Sequence, residues 1–116
     1  MSALEIREGQ LYIFEHHILT PAPVLDAVSH QCLFIVCLDA TGMAELHRNV
    51  YAYSGVGRLQ WQIDHSPFVP HEPPSIDFYT SVGVSCFGEL YVGHYVGYSV
   101  TVDVKTGRTT GSTFTK

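Results

Sequence analysis

Apolar and polar residues alternate with a period of two through almost the whole chain. No stretch longer than about ten residues shows the i, i+3, i+4, i+7 spacing of an amphipathic helix. In Arg58-Leu59-Gln60-Trp61-Gln62-Ile63, Leu59, Trp61 and Ile63 fall on one face and Arg58, Gln60 and Gln62 on the other. Val100, Val102 and Val104 alternate with Ser99, Thr101 and Asp103 in the same way. A strand sends successive side chains to opposite faces, so this pattern builds sheets with one dry side and one wet side. The expected fold is all-β: an antiparallel sandwich or partly open barrel of about eight strands, hairpin-connected, with little or no helix.

Turn residues divide the alternation into strands. Gln10 to Glu15 reads as a first strand, closed by His16-His17 and then by Pro21 and Pro23. Residues 22–30 read as an edge strand, with a single helical turn opened by Pro23 as the alternative. Cys32 to Leu38 is apolar throughout and reads as a central strand covered on both faces. Val50 to Tyr53, a Ser54-Gly55-Val56-Gly57 turn and Arg58 to Ile63 form a hairpin. Residues 66–77 carry four of the six prolines and read as the one long loop. Four antiparallel strands are expected after it, Phe78 to Phe87, Leu90 to Tyr95, Tyr98 to Val104 and Arg108 to Phe114. An offset of fifty residues aligns Val50 with Val100, Gly57 with Gly107 and Arg58 with Arg108, as two hairpins built on the same device would.

The 116 residues suffice for a single domain, and with 46% of them hydrophobic the core needs no metal or disulfide. Six basic and eleven acidic residues give a formal charge of −5 without any basic run, which argues against binding to nucleic acid or an anionic membrane. Met1 to Glu8 lacks an apolar core of signal-peptide length, so the expected location is cytoplasmic. Three cysteines are an odd number. In one strand, Cys32 and Cys37 would lie on opposite faces and ~16 Å apart, which excludes a bridge between them, so all three are expected as buried, inert thiols.

Seven histidines raise the question of a metal or catalytic centre. Their spacings match no standard zinc arrangement, and neither a metal nor a cofactor is expected. His71 and Glu72 lie in the proline loop, and His94 lies mid-strand. No Gly-x-Ser-x-Gly elbow is present. The aromatic residues are more informative. Tyr51 and Tyr53 share one face of their strand. Tyr91 and Tyr95 share a face across Gly93, whose missing side chain would leave a dent for a ligand or a partner side chain. The leading expectation is a non-catalytic binding or interaction protein that uses Tyr51, Tyr53, Tyr91, Gly93, Tyr95, His94, His71 and Glu72. Its partner would be a small molecule, another protein or a second copy, with a homodimer favoured. The alternatives are a small hydrolase or isomerase using histidine and a carboxylate near the 66–77 loop, and an immunity-like protein that blocks a toxin through its acidic surface.

Arg48-Asn49-Val50-Tyr51-Ala52, Gly57-Arg58-Leu59-Gln60-Trp61-Gln62-Ile63, Asp103-Val104-Lys105-Thr106-Gly107 and the terminal Phe114-Thr115-Lys116 carry a resemblance. From about Cys32 onward the chain resembles a group of small uncharacterised bacterial proteins with an Arg-Asn-Val-aromatic-Ala, Gly-x-Leu-x-Trp-x-Ile, Asp-x-x-Thr-Gly and Phe-Thr-Lys pattern. The same phrases look like fragments of quinoprotein-type β-propeller blades, in which a tryptophan packs between blades. The resemblance implies an all-β fold and a bacterial origin, with a mobile gene cassette as one source, and it implies no catalytic residue. The chain has strands for about two blades, whereas a propeller needs at least about four.

Overall fold

The fold was obtained as a computed structural model, and the structure describes residues 3–39, 48–64, 79–95 and 97–114. The described residues are all-β, with eleven strands in three antiparallel sheets. The first sheet is β1 (Leu4–Arg7), β2 (Gln10–Ile13) and β3 (His16–Ile18). The second is β4 (Val24–His30), β5 (Leu33–Leu38), β6 (Val50–Tyr53) and β7 (Leu59–Gln62). The third is β8 (Tyr79–Val84), β9 (Leu90–His94), β10 (Tyr98–Val102) and β11 (Thr109–Phe114). Each sheet is a meander in chain order, so every strand pairs with its sequence neighbour.

The three sheets are layered, and the second lies in the middle. One of its faces contributes Phe34, Val36, Leu38 and Tyr53 to a cluster with Leu11 and Ile13 of the first sheet. The other contributes Ile35, Cys37, Val50, Ala52 and Trp61 to a cluster with Tyr79, Val82, Leu90, Val92, Val100 and Val102. The unbroken apolar run of β5 follows from this arrangement, because both faces of that strand are covered. The expected edge position of β4 is observed. A register shift between Val24 and Asp26 turns Val24 toward the first sheet, and Asp26 reaches the third, where its Oδ2 accepts from Val82 N at 3.1 Å.

The described strands outnumber the eight or so expected chiefly because β1 and β3 go unassigned in the sequence, although Glu8-Gly9 turns β1 into β2 with its glycine at φ 77°. The β2–β3 hairpin turns at Phe14 and Glu15, both left-handed at φ 46° and 70°. Gln31 and Cys32 turn the β4–β5 hairpin in the same way, at 48° and 67°. Two-residue hairpins require such φ values, and without glycine each residue costs about 1–2 kcal/mol, which the flanking strand pairs offset. His16 and His17 therefore begin a strand instead of ending one. Cys32 leaves the strand for an exposed turn, and Cys86 is exposed as well, so only Cys37 is the buried thiol expected. Phe87 also lies outside its expected strand, in the turn closed by Gly88 N donating to Ser85 O.

The hairpin of β6 and β7 contains one more departure. A shift between Ala52 and Tyr53 pairs Ala52 with Trp61 and Tyr53 with Leu59, so Leu59 does not stay on the Trp61 face. Trp61 is 7% exposed and Ile63 fully buried, whereas Leu59 is 50% exposed. The fifty-residue offset corresponds to the step from the second sheet to the third. Val50 and Val100 occupy the third strand of each, and Gly57-Arg58 and Gly107-Arg108 lie between the third strand and the fourth.

Candidate functional site

Among the described residues, those singled out by sequence do not converge. Tyr51 and Tyr53 do share a face, with ring centroids 6.4 Å apart, but Tyr53 is buried against the first sheet and Tyr51 is half-buried beside it. Burial, and secondarily the charge of Tyr51, push the Tyr53 hydroxyl pKa upward. This pair is part of the core. The dent expected at Gly93 is filled: a Cβ there would lie 2.6 Å from Ser81 Oγ. Tyr91 lies over Gly83. Tyr95 falls beyond the end of β9 and stacks on His94 at 4.9 Å, so it does not line a groove with Tyr91. His94 is buried, and its ring meets Tyr79 edge-on at 5.3 Å. His71 and Glu72, with the rest of the 66–77 loop, lie outside the described residues.

Besides Asp26, polar contacts centred on Asn49 and on Trp61 tie the third sheet to the second. Asn49 is fully buried: its Nδ2 donates to Leu38 O at 2.6 Å and Tyr79 O at 2.8 Å, and its Oδ1 accepts from Tyr79 N at 2.7 Å. Cys37 Sγ donates to Tyr79 O at 3.1 Å, and desolvation, followed by the charges of Asp26 and Asp39, pushes this thiol up to about 12. The second centre is Trp61, whose Nε1 donates to Val104 O at 2.8 Å while its ring lies over Gly107. A methyl at Gly107 would meet indole carbons at 2.5 and 2.7 Å, and its φ of +76° also favours glycine. Asn49, Trp61 and Gly107 of the Arg-Asn-Val, Gly-x-Leu-x-Trp and Asp-x-x-Thr-Gly phrases thus carry inter-sheet contacts.

The exposed chemistry lies on the first sheet. Register places Glu5 opposite Tyr12, and Tyr12 opposite His17. The Arg7 guanidinium sits 3.8 Å from the Tyr12 ring centroid and pairs with Glu5 at 3.3 Å. His17 stacks on the same tyrosine at 5.1 Å. Beside this row a cleft of about 250 Å³ opens between the β1–β2 turn, the end of β3 and the segment leading to β4, lined by Glu8, Gln10, His17, Leu19, Thr20 and Pro23. Glu8 offers a carboxylate, Gln10 an amide and His17 an imidazole, whereas the Thr20 hydroxyl is engaged with Ala22 O at 2.7 Å. Sequence reasoning missed this site because β1 and β3 went unrecognised. With those strands assigned, period two and hairpin register bring Tyr12 and His17 together. Among the described residues no group of three or more His, Cys, Asp or Glu side chains is placed to hold a metal ion.

The fold and site define a small layered antiparallel β protein with a polar–aromatic surface row beside a shallow cleft. The model of the family described as "Domain of unknown function (DUF7957)" matches residues 1–114, and the chain belongs to that family. No curated protein matched it. No helix among the described residues is long and apolar enough to cross a membrane.

Proposed function

We propose that this chain is a non-catalytic binding protein whose contact surface is the outer row of the first sheet and the cleft beside it. The observation that supports this reading is the Arg7–Tyr12–His17 stack, in which a half-buried and an exposed ring are held by one another and by a cation. Rings already fixed on a sheet lose little freedom when a partner arrives, so contact area is gained at low entropic cost. A volume of about 250 Å³ lies just under the ~300 Å³ at which drug-sized pockets begin, which suits a small polar molecule or one side chain of a protein partner. Glu8 and Gln10 would orient the ligand's polar groups, and the His17 ring would provide a stacking surface.

The test is an amide NMR titration of the labelled protein with a library of small polar and aromatic compounds. Saturable shifts at Gln10, His17 and Thr20 that vanish in His17→Ala are expected. Saturable binding that leaves these amides unmoved, or conversion of a bound compound to product, would overturn the reading.

A further inference from the structure

The cleft beside the first sheet has two walls fixed against each other. One is the β1–β2 turn, where Glu8 and Gly9 both take left-handed values, φ 53° and 77°. The other is the segment that leads from Leu19 through Pro23 to β4. Val24 N donates to Gly9 O at 2.8 Å, and a Cβ on Gly9 would meet Pro23 Cβ at 2.9 Å, so the turn is seated directly on that segment. With His17 neutral, Glu8 is the one charged side chain among these lining residues, and among the described residues its carboxylate forms no ion pair. Arg7, next to it in sequence, is taken up by Glu5 at 3.3 Å and by the Tyr12 ring at 3.8 Å. Gln10 and His17 supply the other free polar groups, because the Thr20 hydroxyl donates to Ala22 O. Leu19 lines the same cleft and is 83% exposed, and Ile18, Ala22 and Pro23 add further apolar surface.

Resting on the reading of this cleft as the contact site, we propose that it takes an alkylammonium group, with Glu8 as the counter-ion and Leu19 covered by the ligand's stem. A carboxylate only accepts hydrogen bonds, and an ammonium brings three donors, enough for Glu8 and for the amide oxygen of Gln10. The methylenes behind the nitrogen remove Leu19 and Pro23 from water, a contact that an inorganic cation cannot make. Charge selects the same class at longer range. Glu5, Glu8 and Glu15 against the single guanidinium of Arg7 leave the first sheet and its turns at −2, within a chain of −5, so the local field draws in cations. An anion would meet no lysine or arginine in the lining. A free amine and the lysine side chain of a protein partner present the same group, and the experiment separates them.

The test is an amide NMR titration of the full chain at neutral pH with n-butylamine, Nα-acetyl-lysine methylamide, 1-butanol and butyrate, each to ~20 mM, which covers millimolar affinity. Saturable shifts at Gln10, His17 and Thr20 are expected with both ammonium compounds, with butanol about fivefold weaker, the size of one exposed ion pair, and butyrate weaker still. Glu8→Gln should bring n-butylamine down to the level of butanol while leaving the rest of the spectrum in place, because Glu8 is an exposed turn residue. Added salt should weaken the two ammonium compounds and spare butanol. Tighter binding of the lysine derivative would assign the cleft to a lysine of a protein partner, and equal or tighter binding of n-butylamine to a free amine. Butanol or butyrate binding as tightly as n-butylamine, or amine binding unchanged in Glu8→Gln, would overturn the ammonium assignment and leave the cleft as the contact site. Failure of both ammonium compounds to saturate these amides would overturn it as well, and if the wider compound library also leaves them unmoved, the contact-site reading falls with it.

Discussion

Replacing Asn49 with alanine removes three buried hydrogen bonds to the backbone at once and tests how the third sheet is held. Tyr79 N–H loses the Oδ1 acceptor 2.7 Å away, and Leu38 and Tyr79 carbonyls lose the Nδ2 donor at 2.6 and 2.8 Å. Tyr79 O keeps the Cys37 thiol at 3.1 Å, so the main cost falls on the Tyr79 amide and the Leu38 carbonyl. A buried polar group stripped of its partner costs about 1–3 kcal/mol, which places Asn49→Ala at a loss of about 3–5 kcal/mol. A domain of this size has roughly 5–15 kcal/mol in total, so the urea midpoint should fall far enough to be unmistakable. Asn49→Asp should fare no better, because it keeps an acceptor for Tyr79 N but turns a carboxylate toward two carbonyls. Glu5→Ala serves as the control: its exposed pair with Arg7 is worth under about 1 kcal/mol. A loss below about 1 kcal/mol for Asn49→Ala would refute the reasoning, since it would mean that water or a local shift replaces all three bonds.

Trp61→Ala should cost about 3–5 kcal/mol in a denaturant melt, because it removes both the ring over Gly107 and the bond to Val104 O. Stability should fall in alkali. The Cys37 thiol, raised to about 12 in the fold, keeps its proton where the unfolded chain has lost it above about pH 9. The folded state then binds the extra proton, so stability is unaffected below that pH and declines by roughly 1.4 kcal/mol per unit between about 9 and 12. Tyr53, shifted in the same direction, steepens the decline at its upper end. Cys37→Ala should flatten the lower part of the curve in urea melts taken across this range. Adding EDTA should leave the thermal midpoint unchanged, and a drop of several degrees would reveal a metal that the fold requires.

The β6–β7 and β10–β11 hairpins were legible in the sequence because their turns use residues chosen for turning. Gly57, Gly107 and the Asp103 side chain, whose Oδ1 accepts from Lys105 N at 2.9 Å, mark hairpins that alternation alone then fills. The β2–β3 pairing was not legible, because Phe14-Glu15 turns with left-handed values and no glycine, and Phe14 there packs on Phe34. That omission also hid the candidate site, since Tyr12 and His17 become neighbours only across β2 and β3. It misplaced the tyrosines as well: Tyr51 and Tyr53 look like a wet face until a third layer is available to cover Tyr53. At Leu59 the alternation itself misled, because one register shift moves a residue off the face its sequence position assigns.

The account rests on the second sheet being covered on both faces, which packs Tyr53 against the first sheet and leaves the Tyr12–His17 row on that sheet's outer side. Residue-resolved hydrogen exchange measures this most directly. Amides from Phe34 to Cys37 should exchange only through global unfolding and be among the slowest in the chain, with those of β1 and β11, at the edges of the outer sheets, exchanging much faster. Exchange of β5 at the rate of β1 would contradict the layered arrangement.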